Sequence, residues 1–148
     1  MRIAEILSPE NIGCQVETGS KKSALEELSR LMSANDPSLS NTEIFDCLNA
    51  RERLGSTGLG KGIAIPHGRL EGIKQPTAAF LQLKTGVDFD ASDQKPVDLL
   101  FGLLVPSEST DEHLQILSSI AEMCSQDSLL RRLRLQRTEK DLFDILTE

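Results

Sequence analysis

The sequence predicts an α/β fold, a mixed β-sheet sandwiched between layers of helices. Three observations carry that expectation. The elements run strand, two helices, several strands, then helices, which is not the strict alternation of a dinucleotide-binding chain. The stretch Val97 to Val105 (VDLLFGLLV) is nearly all apolar, as a central strand covered on both faces would be. Between the strands, apolar residues recur at helical spacing. At 148 residues, 39% hydrophobic and 26% charged, the chain suits one domain, residues 1–148, with one sizeable core.

Ile12 to Val16 reads as a short first strand. Gly19-Ser20 opens a helix with Ala24, Leu25, Leu28, Leu31 and Met32 on one face, and Asn35-Asp36-Pro37-Ser38 breaks it. Ser40 and Glu43 form a capping box for a second helix, which turns Ile44, Phe45 and Leu48 inward and runs towards Arg51. A glycine-rich loop, Gly55 to Gly62, follows, then a strand at Ile63-Ala64-Ile65 that Pro66 ends, because proline cannot donate to a sheet ladder. Ala78 to Leu83 alternates weakly as a strand, and Val87 to Phe89 adds to a hairpin. After the central strand, Pro106 to Ser109 turns and Thr110 caps a helix that buries Leu114, Leu117, Ile120, Ala121 and Cys124. Ser128 to Leu135 is a short helix. Thr138 and Asp141 start the last one, with Leu142, Phe143, Ile145 and Leu146 inward.

Composition narrows the function classes. No apolar run approaches the ~20 residues that span a membrane, and the N-terminus has no secretory h-region, so membrane insertion is not expected and a cytoplasmic location is the default. A formal charge of -7 argues against nucleic-acid binding. The basic cluster Arg131, Arg132, Arg134 and Arg137 interleaves with leucines, and reads as a solvated helix face or as a docking patch for an acidic partner. Cys14, Cys47 and Cys124 form neither a CxxC pair nor a disulfide ladder and read as reduced thiols. Two histidines without a carboxylate or cysteine pattern supply too few ligands for a metal, and no cofactor is indicated.

The informative stretch is Arg51 to Arg69, RERLGSTGLGKGIAIPHGR. Its GxxxxGK spacing is not a nucleotide loop. Gly62 stands where magnesium needs a Ser or Thr, and the loop follows a helix and opens a strand, the reverse of a P-loop. The glycines either permit a tight turn or bring backbone N–H groups to an oxyanion. His67 sits at the end of the predicted strand between Pro66 and Gly68. It reads as a surface histidine at a turn, or as a nucleophile with one nitrogen free and the other N–H anchored. Arg51, with Arg53 as competitor, offers a guanidinium for phosphoryl oxygens. His113 stands in the first turn of its helix, where the positive helix end disfavours its protonated form. A Cys–His nucleophile pair using Cys47 has no local support.

RExxGSTGxGxGIAIPHG, here Arg51 to Gly68, resembles the active-site signature of the type-2 (fructose–mannitol class) enzyme IIA domains of the bacterial phosphotransferase system. The segment from Pro96 to Leu117 (PVDLLFGLLVP…HLQIL) resembles the second motif of that family, so the likeness covers essentially the whole chain. A free-standing chain of this length points to the nitrogen-regulatory branch. The resemblance implies a phosphotransferase/anion-transport-protein type fold and phosphorylation of His67 at Nε2. Arg51 would lie against the phosphoryl group and His113 would be the second active-site histidine. Ser56, Thr57, Gly58, Gly60 and Gly62 would form a phosphoryl-binding loop. It implies an HPr-like phosphocarrier as donor, fed from phosphoenolpyruvate. On the phosphocarrier reading, an apolar ring around His67 that includes Leu59 and Ile65 is the expected docking surface for that donor. It implies regulatory targets such as potassium transport or sensor-kinase systems. Two alternatives stand beside it: the enzyme IIA of a sugar uptake system, and a non-phosphorylated binding module on the same fold.

Overall fold

The central strand forms as its apolar run requires. In a computed structural model that describes residues 2–34, 36–108 and 111–148, it is β6 (Val97–Pro106), almost wholly buried in the middle of a six-stranded sheet. The other strands are β1 (Ile12–Val16), β2 (Gly58–Gly60), β3 (Ile63–Ala64), β4 (His67–Leu70) and β5 (Thr77–Val87). The order is β1-β5-β6-β3-β2, with β4 also on β6. The sheet is mixed: β1 runs parallel to β5, β5 antiparallel to β6, and β3 and β4 parallel to β6.

Alternation along β6 divides the core in two. Leu99, Phe101, Leu103 and Val105 face α3 (Asp111–Cys124), α4 (Asp127–Leu135) and α5 (Glu139–Leu146). Leu100 and Leu104 face α1 (Lys21–Ser33) and α2 (Asn41–Arg53). This is the period-two burial of a strand packed on both sides. Phe80 and Phe101 pack edge to face, centroids 5.9 Å apart. Gly102 lets α1 approach the sheet, since a Cβ there would lie 2.8 Å from Leu28.

The helix starts follow their caps. Ser20, Ser40 and Thr138 each accept an N–H from the first turn of α1, α2 and α5, and of the Ser40–Glu43 box the structure shows the Ser40 half. The expected Thr110 cap, Asn35 in the expected break and Ser109 in the expected turn lie outside the described residues.

Four expectations are corrected. Pro66 interrupts its strand rather than ending it. β3 and β4 hold one continuous register on β6, Ala64 opposite Leu100 and His67 opposite Leu103, and the Pro66 carbonyl still accepts the Leu103 N–H. The glycine stretch is partly a hairpin, with β2 turning into β3 through Lys61 (φ +62°) and Gly62 (φ +79°), the left-handed pair that tight primed turns need. β5 runs through Lys84 to Val87 as one strand, and Phe89 lies beyond it, buried. In α3 the buried residues are Ile116, Ile120 and Cys124, while Leu117 and Ala121 are half-buried and Leu114 is 48% exposed.

The basic cluster is largely committed to the fold. Arg134 grips the Asp98 carboxylate with Nε and Nη2, and Arg132 pairs with Glu148. No helix among the described residues is long and apolar enough to cross a membrane.

Candidate functional site

His67 opens β4, an edge strand laid beside β6. Its Nδ1 lies 2.8 Å from the Ile65 carbonyl oxygen. A carbonyl oxygen can only accept, so this bond places the proton of a neutral ring on Nδ1 and leaves Nε2 with its lone pair free. Pro66, between the two residues, has no N–H of its own to bond, and the Ile65 carbonyl is used by the ring.

Helix α2 packs against the same edge. Gly68 allows this approach, because a Cβ there would sit 2.5 Å from Cys47 Sγ. The Cys47 thiol donates to the Arg69 carbonyl at 3.2 Å, tying the helix to the strand that carries His67. Burial pushes the Cys47 thiol up from its ordinary pKa, which disfavours the thiolate that a nucleophile needs.

A cavity of about 530 Å³ opens where the last turn of α2, strand β4 and the first turn of α3 meet. His67, Arg51 and His113 all line it. Arg51 is fixed by donating from Nη1 to the Gly55 carbonyl at 2.8 Å. Arg53, the competing arginine, is exposed and lies outside the lining. Leu103, Val105 and Leu117 form the apolar wall. Such a wall lowers the local dielectric, so a cation and a developing phosphoryl charge interact more strongly than in open water.

The expected phosphoryl loop falls elsewhere. None of Ser56, Thr57, Gly58, Gly60 and Gly62 lines the cavity. Ser56 Oγ donates to the Phe89 carbonyl at 2.9 Å and accepts the Gly58 N–H. The Thr57 N–H and hydroxyl both donate to the Glu52 carboxylate. A Cβ on Gly58 would meet Ala91 at 2.8 Å; one on Gly60 would touch the Asp93 carboxylate at 3.5 Å. Gly62 is pressed against Arg134 and Asp98. Ile65 is buried and so cannot belong to a docking ring, and Leu59, though exposed, is not at the cavity. The exposed leucines at the rim are Leu54 and Leu114.

Sequence reasoning missed Leu54 and Arg69 as parts of this cavity, and raised Cys47 only as a partner for a histidine nucleophile. The signal for Arg69 was present. Once His67 is read as the first residue of a strand, the residue two further on shares its face. Among the described residues, no group of three His, Cys, Asp or Glu side chains converges as a metal site.

Comparison with known proteins bears on this geometry. Residues 5–148 match the family model "Phosphoenolpyruvate-dependent sugar phosphotransferase system, EIIA 2". A "Nitrogen regulatory protein" of Pseudomonas aeruginosa is 46% identical over 148 residues, covering 100% of this chain and 96% of its own. The crystal structure of nitrogen regulatory protein IIA-Ntr from Neisseria meningitidis superposes with a TM-score of 0.91 at 48% identity, covering 98% of this chain and 99% of that one. The mannitol IIA protein of Escherichia coli shares the fold, with a TM-score of 0.77 at 23% identity over 95% of this chain and 98% of its own.

Proposed function

The chain belongs to the EIIA 2 family of the phosphoenolpyruvate-dependent phosphotransferase system, and from that membership we propose that His67 is the residue that carries the phosphoryl group. The protein is a phosphocarrier of the nitrogen-regulatory branch, served by an HPr-like partner. The observation that carries the assignment to His67 is its Nδ1 bond to the Ile65 carbonyl, in a cavity it shares with Arg51 and His113.

The step is an in-line displacement. Nε2 of His67 attacks the phosphorus held on the donor's imidazole. The new P–N bond forms as the donor's bond breaks, and the bonding pair returns to the donor ring. The proton of His67 stays on Nδ1, hydrogen-bonded to the Ile65 carbonyl throughout, and Nε2 attacks through its free lone pair, so no separate base is required. Arg51 offers its guanidinium to the phosphoryl oxygens, and His113 adds a second imidazole donor from α3. Leu54 and Leu114 at the rim suit an apolar contact with the donor. The regulated targets, in this proposal, are potassium transport or sensor-kinase systems that distinguish the phosphorylated from the free protein. The nitrogen-regulatory relatives that match along the full chain support this reading over enzyme IIA of a sugar pathway.

The test mixes the protein with phosphoenolpyruvate, enzyme I and the HPr-like carrier, and locates the phosphoryl mark by mass spectrometry. The expected mark is acid-labile, base-stable and confined to His67. A mark that persists on the His67→Ala protein overturns the assignment. Efficient onward transfer to a sugar-permease IIB domain would favour sugar uptake instead.

A further inference from the structure

Glu52 follows Arg51 in sequence, yet its side chain is buried, with 2% exposed. Its carboxylate takes the Thr57 N–H at 3.2 Å and the Thr57 hydroxyl, and it pairs with Lys21 Nζ at 3.0 Å. Lys21 is the first residue of α1, where the helix dipole disfavours a cation, and no acidic residue stands in that first turn. Its ammonium also lies 4.7 Å from the centroid of the Phe89 ring. Phe89 in turn receives Ser56 through its carbonyl. A buried charge pair of this kind is costly unless its remaining hydrogen-bonding capacity is used. Here Glu52 uses it on Thr57, the last residue of the short segment 55–57, while Lys21 Nζ also lies 3.7 Å from the Asp90 carboxylate.

That segment touches both halves of the site. The Gly55 carbonyl holds the Arg51 guanidinium. The Thr57 carbonyl accepts the Ile65 N–H at 3.1 Å, and the Ile65 carbonyl accepts a hydrogen bond from His67 Nδ1–H. We infer that Glu52, anchored by Lys21, is a positioning residue for phosphoryl transfer: by fixing segment 55–57 it sets the Arg51 guanidinium and the His67 ring relative to each other. Glu52 touches no reacting atom. It makes Thr57 part of the support of the site rather than a phosphoryl ligand. The inference rests on the roles proposed above for Arg51 and His67.

The test is a double-mutant cycle on the purified full chain, with the phosphorylated HPr-like carrier as donor. Glu52→Gln preserves volume and removes the charge. The rate in the saturated complex should fall about 10- to 100-fold, as expected of a small misplacement of reacting groups. The half-saturating donor concentration should stay within about twofold, because the rim is untouched. In an Arg51→Ala background the same change should cost only about 3- to 10-fold, since one of its two targets is already gone and the His67 half remains. A loss confined to half-saturation, no loss, or a loss that multiplies fully with that of Arg51→Ala overturns the inference. Should Glu52→Gln fail to fold, Thr57→Val serves. It deletes only the hydroxyl, and its loss must also shrink in the Arg51→Ala background; a fully multiplicative loss would mean that Thr57 acts on the phosphoryl directly. If Arg51→Ala alone transfers at the wild-type rate, the proposed role of Arg51 fails. If Arg51→Ala is slow and Glu52→Gln is not, only the positioning role fails.

Discussion

The ends of the stretch from Arg51 to His67 and its middle are placed differently, although on paper they form one motif. Arg51 and His67 face a common cavity beside α3. The middle, Gly58 to Gly62, is a hairpin that turns away from that cavity and is clamped by Asp93, Asp98 and Arg134. The first region leaves side chains lining an open cavity. The second spends its glycines on backbone hand and close approach. A dense motif can therefore mix groups that react with groups that only let the chain reach them.

The sharpest way to break this contrast is at Arg51. Arg51→Ala should slow phosphoryl transfer about 100-fold, the range seen when one charge-stabilising donor is removed. Stability should move by no more than about 0.5 kcal/mol, since the side chain is not part of either core cluster. Rapid-quench transfer assays and thermal melts on the same protein separate the two quantities. A variant that melts early but transfers normally when folded would place Arg51 with the hairpin, among the structural residues.

Much of this division was legible in the residues, and the rest was hidden for physical reasons. The apolar run of β6 and the caps at Ser20, Ser40 and Thr138 announce themselves locally, because burial and first-turn N–H groups impose fixed patterns. The pairing of His67 with Leu103 is not local. Pro66 looks like a strand end until β6 supplies a register that continues on both sides of it. Leu114 fits the apolar face of α3 by spacing alone, but α3 begins beside an open cavity, and Leu114 lines that cavity instead of joining the core. The glycine hairpin was hidden by its own composition. Gly-Leu-Gly carries no strand pattern, and only the positive φ pair at Lys61 and Gly62 makes the turn.

Gly62→Ala probes the second region. The residue sits at φ +79°, and a Cβ there would lie 2.5 Å from Arg134 Nη2 and 2.9 Å from Asp98 Oδ1. Left-handed strain of about 1–2 kcal/mol adds to a disturbed, partly buried ion pair. The total should be about 2–4 kcal/mol, or a melting point lower by about 5–15 °C for a chain of this size. Transfer measured well below that melting point should stay within about threefold of wild type. Lost transfer with unchanged stability would instead make the glycines phosphoryl ligands and erase the contrast.

The smallest effect tests how the hairpin is tied down. Lys61 Nζ lies 2.9 Å from Asp127 Oδ1 at the start of α4, and its hydrogen bond and charge hold the Asp127 carboxyl below the ordinary aspartate value. A lowered folded-state pKa contributes stability above the unfolded value and loses it as the pH falls through the folded one. The pair is exposed, so salt screens it and its share of total stability is small. A carboxyl titration followed by nuclear magnetic resonance should therefore be the most sensitive readout. Lys61→Met should move the Asp127 midpoint upward, added salt should shrink that difference, and phosphoryl transfer should not change. A clear fall in transfer would mean that this clamp reaches the reacting groups, because β2 and β3 lead directly into Ile65 and His67. In that event the two regions would have to be treated as one mechanical unit.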